Sequence, residues 1–386
     1  MYTTLSYVYR CIAWNLPNLD DHQRFPKLPV LNNPGLVMPL PVGQPLDLSP
    51  VSILYEGKTS RQVLERFLQQ SGTASFLILH RNEVVYEKYA GGYTADNIIT
   101  SLSVSKSLVS ALVGIALEEG ILPGLDSSIL EQLPELSTTI SSKLTIRHLL
   151  GMSSGLHYYE GVSPWSDDAR IYYSLNLRKQ LLNCETIESP GKYYHYNNYN
   201  LLLLGRLLEK ATGMAVPTYF SQKIWSPMGA EQPASWNIDS ARSGFAKMES
   251  GFNATARDFA RFGLLYLNKG RFGNRQIIPE AWVNQSTSQP NFEEFADSTR
   301  YMTRRNPPLG QWVDSPVGYY KYLWWGYRNG PHQDPDYFAM GNLGQFIYCS
   351  PLHQTVIVRF GKKWGNIDWW PTLFRELSQQ IDKPGS

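Results

Sequence analysis

The sequence is short of cysteine. Of its 386 residues only Cys11, Cys184 and Cys349 are thiols, an odd and widely spaced set. That excludes a disulfide framework, suits a reducing compartment and offers no metal-ligand spacing. Long apolar runs are also missing. None approaches the roughly 18–20 residues that a membrane span needs. The first residues, MYTTLSYVYRCIAWNLPNLDDHQ, are interrupted by Arg10, Asn15, Asp20 and Asp21 and show no small-residue cleavage pattern. They do not read as an export signal, so a cytoplasmic protein is expected. Charge of one sign is lacking too. The net charge is +2, and no basic run is longer than two residues, so there is no footprint for nucleic acid or an anionic membrane. The seven histidines are dispersed and form no His-Glu-x-x-His.

Apolar and aromatic residues are plentiful: 42% of the chain is hydrophobic, with 24 Tyr, 15 Phe and 11 Trp. Such a chain can bury a large core, and its aromatics suit clefts for small organic molecules. The length fits two joined domains. Residues 26–50 are proline-rich and non-periodic, and residues 1–50 read as an extended arm. Helical spacing follows at 61–70, then SFLILHRNEVVYEKYAGG reads as a β-hairpin turning at Arg81-Asn82. From 101 to 239 the pattern is mainly helical, including LTIRHLLGMSSGL (144–156) and YNLLLLGRLLEKATG (199–213). A further amphipathic helix, ARDFARFGLLYLNKG, occupies 256–270, short strands follow at 322–327, 345–349 and 355–360, and a closing helix is expected at 371–382. Strands at both ends of a helical stretch predict one sheet assembled from 51–100 and 240–386.

Three short patterns carry chemistry. In SLSVSKS (101–107) only Ser103 has a lysine three residues on, Lys106. Residues i and i+3 share a helix face, and a lysine in apolar surroundings loses proton affinity and can act as a base. With 35 serines and 15 lysines about one such match arises by chance, so a capping serine and a solvated lysine explain it equally well. The second match, Ser189-Pro-Gly-Lys192, has a centre that disfavours a helical turn. Tyr196-Asn197-Asn198, ahead of an apolar helix, offers a phenol to shuttle a proton and amides to orient a carbonyl or the lysine; it also reads as a loop of polar caps. In AMGNLGQFIYC (339–349), Gly341 and Gly344 permit close backbone approach, and the amide of Gln345 could face an oxyanion; an ordinary tight turn reads the same way.

In this order the three patterns resemble the serine β-lactamase-like family: class C β-lactamases, DD-peptidases, related esterases and 6-aminohexanoate-dimer hydrolases. The likeness extends to LTIRHLLGMSSGL, SPGKYYHYNNYNLLLLGRLLEKATG and GFNATARDFARFGLLYLNKG and spans roughly 75–360. It implies an α+β fold, an antiparallel sheet flanked by helices plus an all-helical domain. It implies Ser103 as the acylated nucleophile, Lys106 as its base, Tyr196 as proton relay and Asn198 as a positioning group. The amides of Ser103 and Gln345, beside Gly344, become the oxyanion hole. The third motif departs from the family: Asn342 stands where Lys or His is usual, and Leu343 where Thr is. The cation and hydroxyl that would grip a substrate carboxylate are gone, which favours a small neutral ester or amide over a penicillin. No metal or organic cofactor is implied. A penicillin-recognising enzyme and a noncatalytic binding protein of the same fold are the rival readings.

Other residues read as structural. His195 adjoins Tyr196 at a variable position. Asp167 and Asp168 could hold a substrate amine but also suit a helix N-terminus. Trp165, Trp312, Trp324 and Trp325 could wall a cleft or simply fill the core.

Overall fold

The computed structural model describes residues 2–161, 163–290 and 312–382; the parts of the expected 1–50, 101–239 and 240–386 ranges that fall outside these limits lie outside the described residues. Its main feature is a seven-stranded antiparallel sheet. The order is Gly318–Lys321, Trp324–Tyr327, Asp336–Gly341, Gln345–Ser350, Thr355–Gly361, Thr73–His80 and Glu83–Tyr89. The expected assembly from both ends of the chain is therefore present: Thr355–Gly361 pairs with Thr73–His80, with Ile357 opposite Ile78. Both of these central strands are buried almost throughout, which explains their near-continuous Val, Ile, Leu and Phe content.

Helices cover both faces of the sheet. Ala256–Leu267 packs on one, with Phe259 against Phe360 at 4.7 Å between ring centroids. Leu64–Gln70 and Trp370–Ile381 cover the other, where Phe374 meets Phe76, Phe346 and Tyr348. The intervening chain is largely helical and is built round Ser105–Glu118, which is buried from Ser105 to Ala116. Tyr199–Thr212 packs on that helix and closes at Gly213 in the left-handed region.

A second, four-stranded sheet runs Lys27–Val30, Ala234–Asn237, Phe252–Ala254, Ile99–Thr100. It draws strands from the arm, from before and after the helical stretch, and from the end of the range expected to be helical, 101–239, where Ala234–Asn237 is a strand. Its last strand leads directly into Ser101, which places the first motif at the seam between the two sheets.

Several local expectations differ: the strand expected at 322–327 starts at Trp324, after a positive-φ turn at Tyr322-Leu323, and the helix expected at 144–156 is only Ile146–Leu150. The first fifty residues are not simply an extended arm: Tyr2–Ala13 is a helix. Tyr7, Cys11 and Trp14 pack on a small cluster with Phe25, Ala169 and Tyr173, and Arg10 donates to the carbonyls of Tyr173, Ser174 and Asp239. The proline-rich part does supply a strand, but only at a sheet edge, where the missing N–H of Pro29 is tolerated. The helix expected from Arg61 begins at Leu64; Lys58–Gln62 instead pairs with Val51–Tyr55 around Glu56-Gly57, both at positive φ.

Candidate active site

Ser103 lies in a 3-10 turn, Leu102–Val104, that runs straight into the Ser105–Glu118 helix. Side chains at i and i+3 eclipse in such a turn. Lys106 accordingly brings its Nζ to 2.9 Å from Ser103 Oγ. Leu102, just before the nucleophile candidate, has φ +49°, a conformation costly for a branched side chain and held only because the surroundings over-determine it. The other serines of the heptapeptide serve the framework. Ser101 and Ser105 bond to each other at 2.7 Å, Ser105 Oγ accepts from the Phe252 amide, and Ser107 donates to Leu323 O. Ser103 alone is partly exposed.

Lys106 is 2% exposed, and its second partner is the carbonyl of Glu249 at 2.9 Å. Burial lowers its pKa to about 7, and the negative charges of Glu249 and Asp168 oppose that fall. The Tyr196 phenol faces the Ser103 hydroxyl, which favours its ionised form, and its ring lies 4.9 Å from Lys106 Nζ. Trp325 and Tyr320 wall that ring. Desolvation pushes the Tyr196 phenol well above its ordinary range, so it stays protonated at neutral pH.

The third motif arrives on the end of the Asp336–Gly341 strand. A Cβ on Gly341 would sit 2.9 Å from Ser101 O and 3.0 Å from Ser103 N. Both are backbone atoms that cannot swing aside, so only glycine lets this strand press against the nucleophile's amide. Gly341→Ala is therefore expected to cut turnover at least tenfold while shifting the melting temperature by only a few degrees; parallel kinetics and thermal melts check this.

Gln345 is paired with Gly341 across the antiparallel register, and its side chain turns away to grip both backbone groups of Gly361. Gly344 has φ +80° and makes room for Arg359 rather than for a substrate. Asn342 is exposed, and its side chain accepts from the Leu343 amide.

Asn198 is brought near but not onto the lysine. Its Nδ2 donates to Tyr158 Oη at 2.8 Å and to Asp168 Oδ1 at 3.2 Å, while its Oδ1 is buried without a partner among the described residues. Tyr158 also donates to Asp168, whose other oxygen accepts from the Gly161 amide. Burial raises the Asp168 pKa. Asn197 Oδ1 accepts from the Tyr199 amide at the start of the helix, whose N-cap position is Asn198 without a side-chain capping bond.

Asp167 and Asp168 sit in the first turn of the Asp167–Tyr173 helix behind the Ser166 cap. Asp167 is committed to the Tyr159 amide and the Tyr199 hydroxyl. His195 pairs with Glu160 at 3.5 Å. Trp324 and Trp312 are buried in packing, whereas Trp165 is 71% exposed.

A second nucleophile spelling, Gly151-Met152-Ser153-Ser154-Gly155, matches Gly-x-Ser-x-Gly. It follows the Ile146–Leu150 helix and has neither the strand before it nor the helix after it that an exposed nucleophile elbow requires. Both serines are buried, and Ser154 Oγ accepts from the Leu156 amide. Ser189-Pro-Gly-Lys192 is likewise not helical, with Gly191 at φ +84°.

A serine hydrogen-bonded to a desolvated lysine and facing a phenol, where an antiparallel sheet meets a largely helical stretch, is the arrangement expected of a serine hydrolase of the β-lactamase fold. The chain belongs to the beta-lactamase family, whose model matches residues 61–366. It is 26% identical over 307 residues to the 6-aminohexanoate-dimer hydrolase of Paenarthrobacter ureafaciens, covering 77% of this chain and 74% of that protein. A solved Bacillus anthracis protein assigned as a 6-aminohexanoate-dimer hydrolase superposes with a TM-score of 0.78 at 23% identity, covering 93% of this chain and 90% of that one. A class C beta lactamase from Rhodobacter sphaeroides superposes at 0.57 with 16% identity, covering 82% and 97%. Among the described residues no helix is long and apolar enough to cross a membrane.

Proposed function

We propose that the protein hydrolyses small, uncharged esters or amides through an acyl-enzyme on Ser103. One observation carries this reading: Lys106 Nζ, buried and 2.9 Å from Ser103 Oγ, has its pKa lowered to about 7. Such a lysine is a free amine for much of the time at neutral pH and can take the serine proton as Oγ attacks the substrate carbonyl. The proton then passes from the Lys106 ammonium through the neutral Tyr196 hydroxyl to the departing oxygen or nitrogen. Water enters next, the same groups act in reverse, and the acid leaves.

Backbone amides supply the oxyanion hole. The Ser103 N–H is one donor. The second comes from the Gly341–Gln345 turn: Gln345 is the donor expected from sequence, and Asn342, whose amide directly follows Gly341, is its alternative. The buried, unpartnered Asn198 Oδ1 is an acceptor suited to a substrate N–H.

The substrate class follows from the third motif. Asn342 and Leu343 offer neither a cation nor a hydroxyl where a penicillin carboxylate would need them. A neutral short-chain p-nitrophenyl ester should therefore be turned over faster than nitrocefin; the reverse order would make this a penicillin-recognising enzyme. The pH dependence has a definite sign. Lys106 must be unprotonated to act, so kcat/KM for the ester is expected to fall on the acid side with a midpoint near 7. By pH 6 it should be roughly a tenth of its plateau. A flat profile from pH 8 to pH 5 would remove Lys106 from the base role.

A further inference from the structure

Behind Lys106 lies an ion pair that the reaction as described does not use. Lys247 Nζ is 3.2 Å from Glu249 Oε1, and both side chains are buried, at 1% and 3% exposure. Glu249 is the residue whose carbonyl holds Lys106 at 2.9 Å. Its Oε1 also accepts from Ser250 Oγ at 2.9 Å, and its Oε2 is buried with no partner among the described residues. The turn is rigid. Lys247 O accepts from the amides of Ser250 and Gly251 and from Trp236 Nε1, and the next strand, Phe252–Ala254, hydrogen-bonds back to Ser101 and Ser105.

The two lysines are unequal. Lys247 has a carboxylate, the carbonyls of Ile171 and Tyr172, and the rings of Phe25 and Tyr172 at 5.0 and 4.7 Å. Lys106 has one hydroxyl, one carbonyl and one ring. A carboxylate inside a protein favours the charged form of every nearby amine. If Glu249 had no other cation, it would hold Lys106 as an ammonium and deny it the base role.

We propose that the Lys247–Glu249 pair is a positioning device that sets the protonation of Lys106. Lys247 satisfies the Glu249 carboxylate, so that Lys106 rests as the free amine. The same carboxylate steadies the Lys106 ammonium formed when the Ser103 proton arrives. This rests on the reading of Lys106 as the base. The other charged groups in the neighbourhood are Asp168, which faces Lys106, and Arg10 and Asp239, which act on Lys247. Tyr172, also against Lys247, is tied to Asp21.

The test is the acid limb of the acylation rate, read with a p-nitrophenyl ester, alongside a thermal melt of each variant. Glu249→Gln removes the anion beside Lys106, and the limb should move down by about one pH unit. Lys247→Met leaves Glu249 to pair with Lys106, and the limb should move up by a similar amount. Lys247→Met/Glu249→Gln removes both charges without stranding either. Its limb should lie below that of the wild type but by less than in Glu249→Gln alone, and this variant decides the matter if a single variant fails to fold. Folded variants whose limb stays at the wild-type pH would reduce the pair to a structural element. Labelling of wild-type Ser103 by a fluorophosphonate separates the two claims: no label there overturns the parent reading, whereas a label with unmoved limbs overturns only this one.

Discussion

Lys106→Ala is expected to lower kcat/KM for a neutral ester by about three orders of magnitude, the middle of the range for losing a general base. Among the described residues the substitution removes the only amine bonded to Ser103 and leaves the serine beside Tyr196. That phenol is a poor substitute. Desolvation holds its proton firmly, and a tyrosinate at neutral pH would need a cation that the third motif lacks. Tyr196→Phe should accordingly cost less, about ten- to a hundredfold, because it breaks the relay without removing the acceptor. Stopped-flow acylation of the two variants checks the order. Near-normal acylation in Lys106→Ala, together with its loss in Tyr196→Phe, would transfer the base role to the tyrosine.

Arg359→Met is expected to destabilise the fold by about 3 kcal/mol or more and to abolish activity. Arg359 is fully buried among the described residues. Its guanidinium donates to the carbonyls of Leu343, Gly344, Ser71 and Lys363 and to Thr73 Oγ1, and it stacks on Trp370 at 4.0 Å. It thereby ties the Asn342–Gly344 turn to the sheet beneath it. Methionine would fill much of the volume but strand several acceptors, and each buried orphan is costly. Arg359→Lys should rescue little, since a single ammonium cannot span acceptors set out for a planar fork. Denaturant melts give the stability, and assays well below the melting point separate loss of the turn from loss of the fold. A variant that melts like the wild type would refute this view of the turn.

Much of the architecture was readable because it is local. The hairpin after Gly72, the helices closed by Gly120, Gly213 and Gly270, and the buried Thr355–Gly361 strand all announce themselves through periodicity and turn chemistry. Ser103 and Lys106 were readable for the same reason: their contact is three residues long. Tyr196 could be placed only by its order in the chain relative to them.

What escaped the sequence is what long-range packing assembles. Arg359, near the end of TVIVRF, has nothing beside it in the sequence that foretells Trp370 above it or five acceptors around it. Asn198 was expected on the lysine or the substrate carbonyl. Instead it turns to Tyr158 and Asp168, which lie 40 and 30 residues away in the chain. Glu249 holds Lys106 with its carbonyl, a group every residue possesses, and so left no mark in composition or spacing. The N-terminal helix leaves little trace in the sequence because its inward side, Tyr7, Arg10 and Cys11, is mixed in polarity, while Tyr9 and Ile12 face outward.

The central claim is that Ser103 carries the acyl group. Rapid quenching with a slowly deacylated ester, followed by intact-mass measurement and peptide sequencing, tests it most directly. The account predicts a mass increase equal to the acyl moiety, located on Ser103 and absent from Ser103→Ala. An adduct on another residue, or turnover that persists in a folded Ser103→Ala protein, would contradict it.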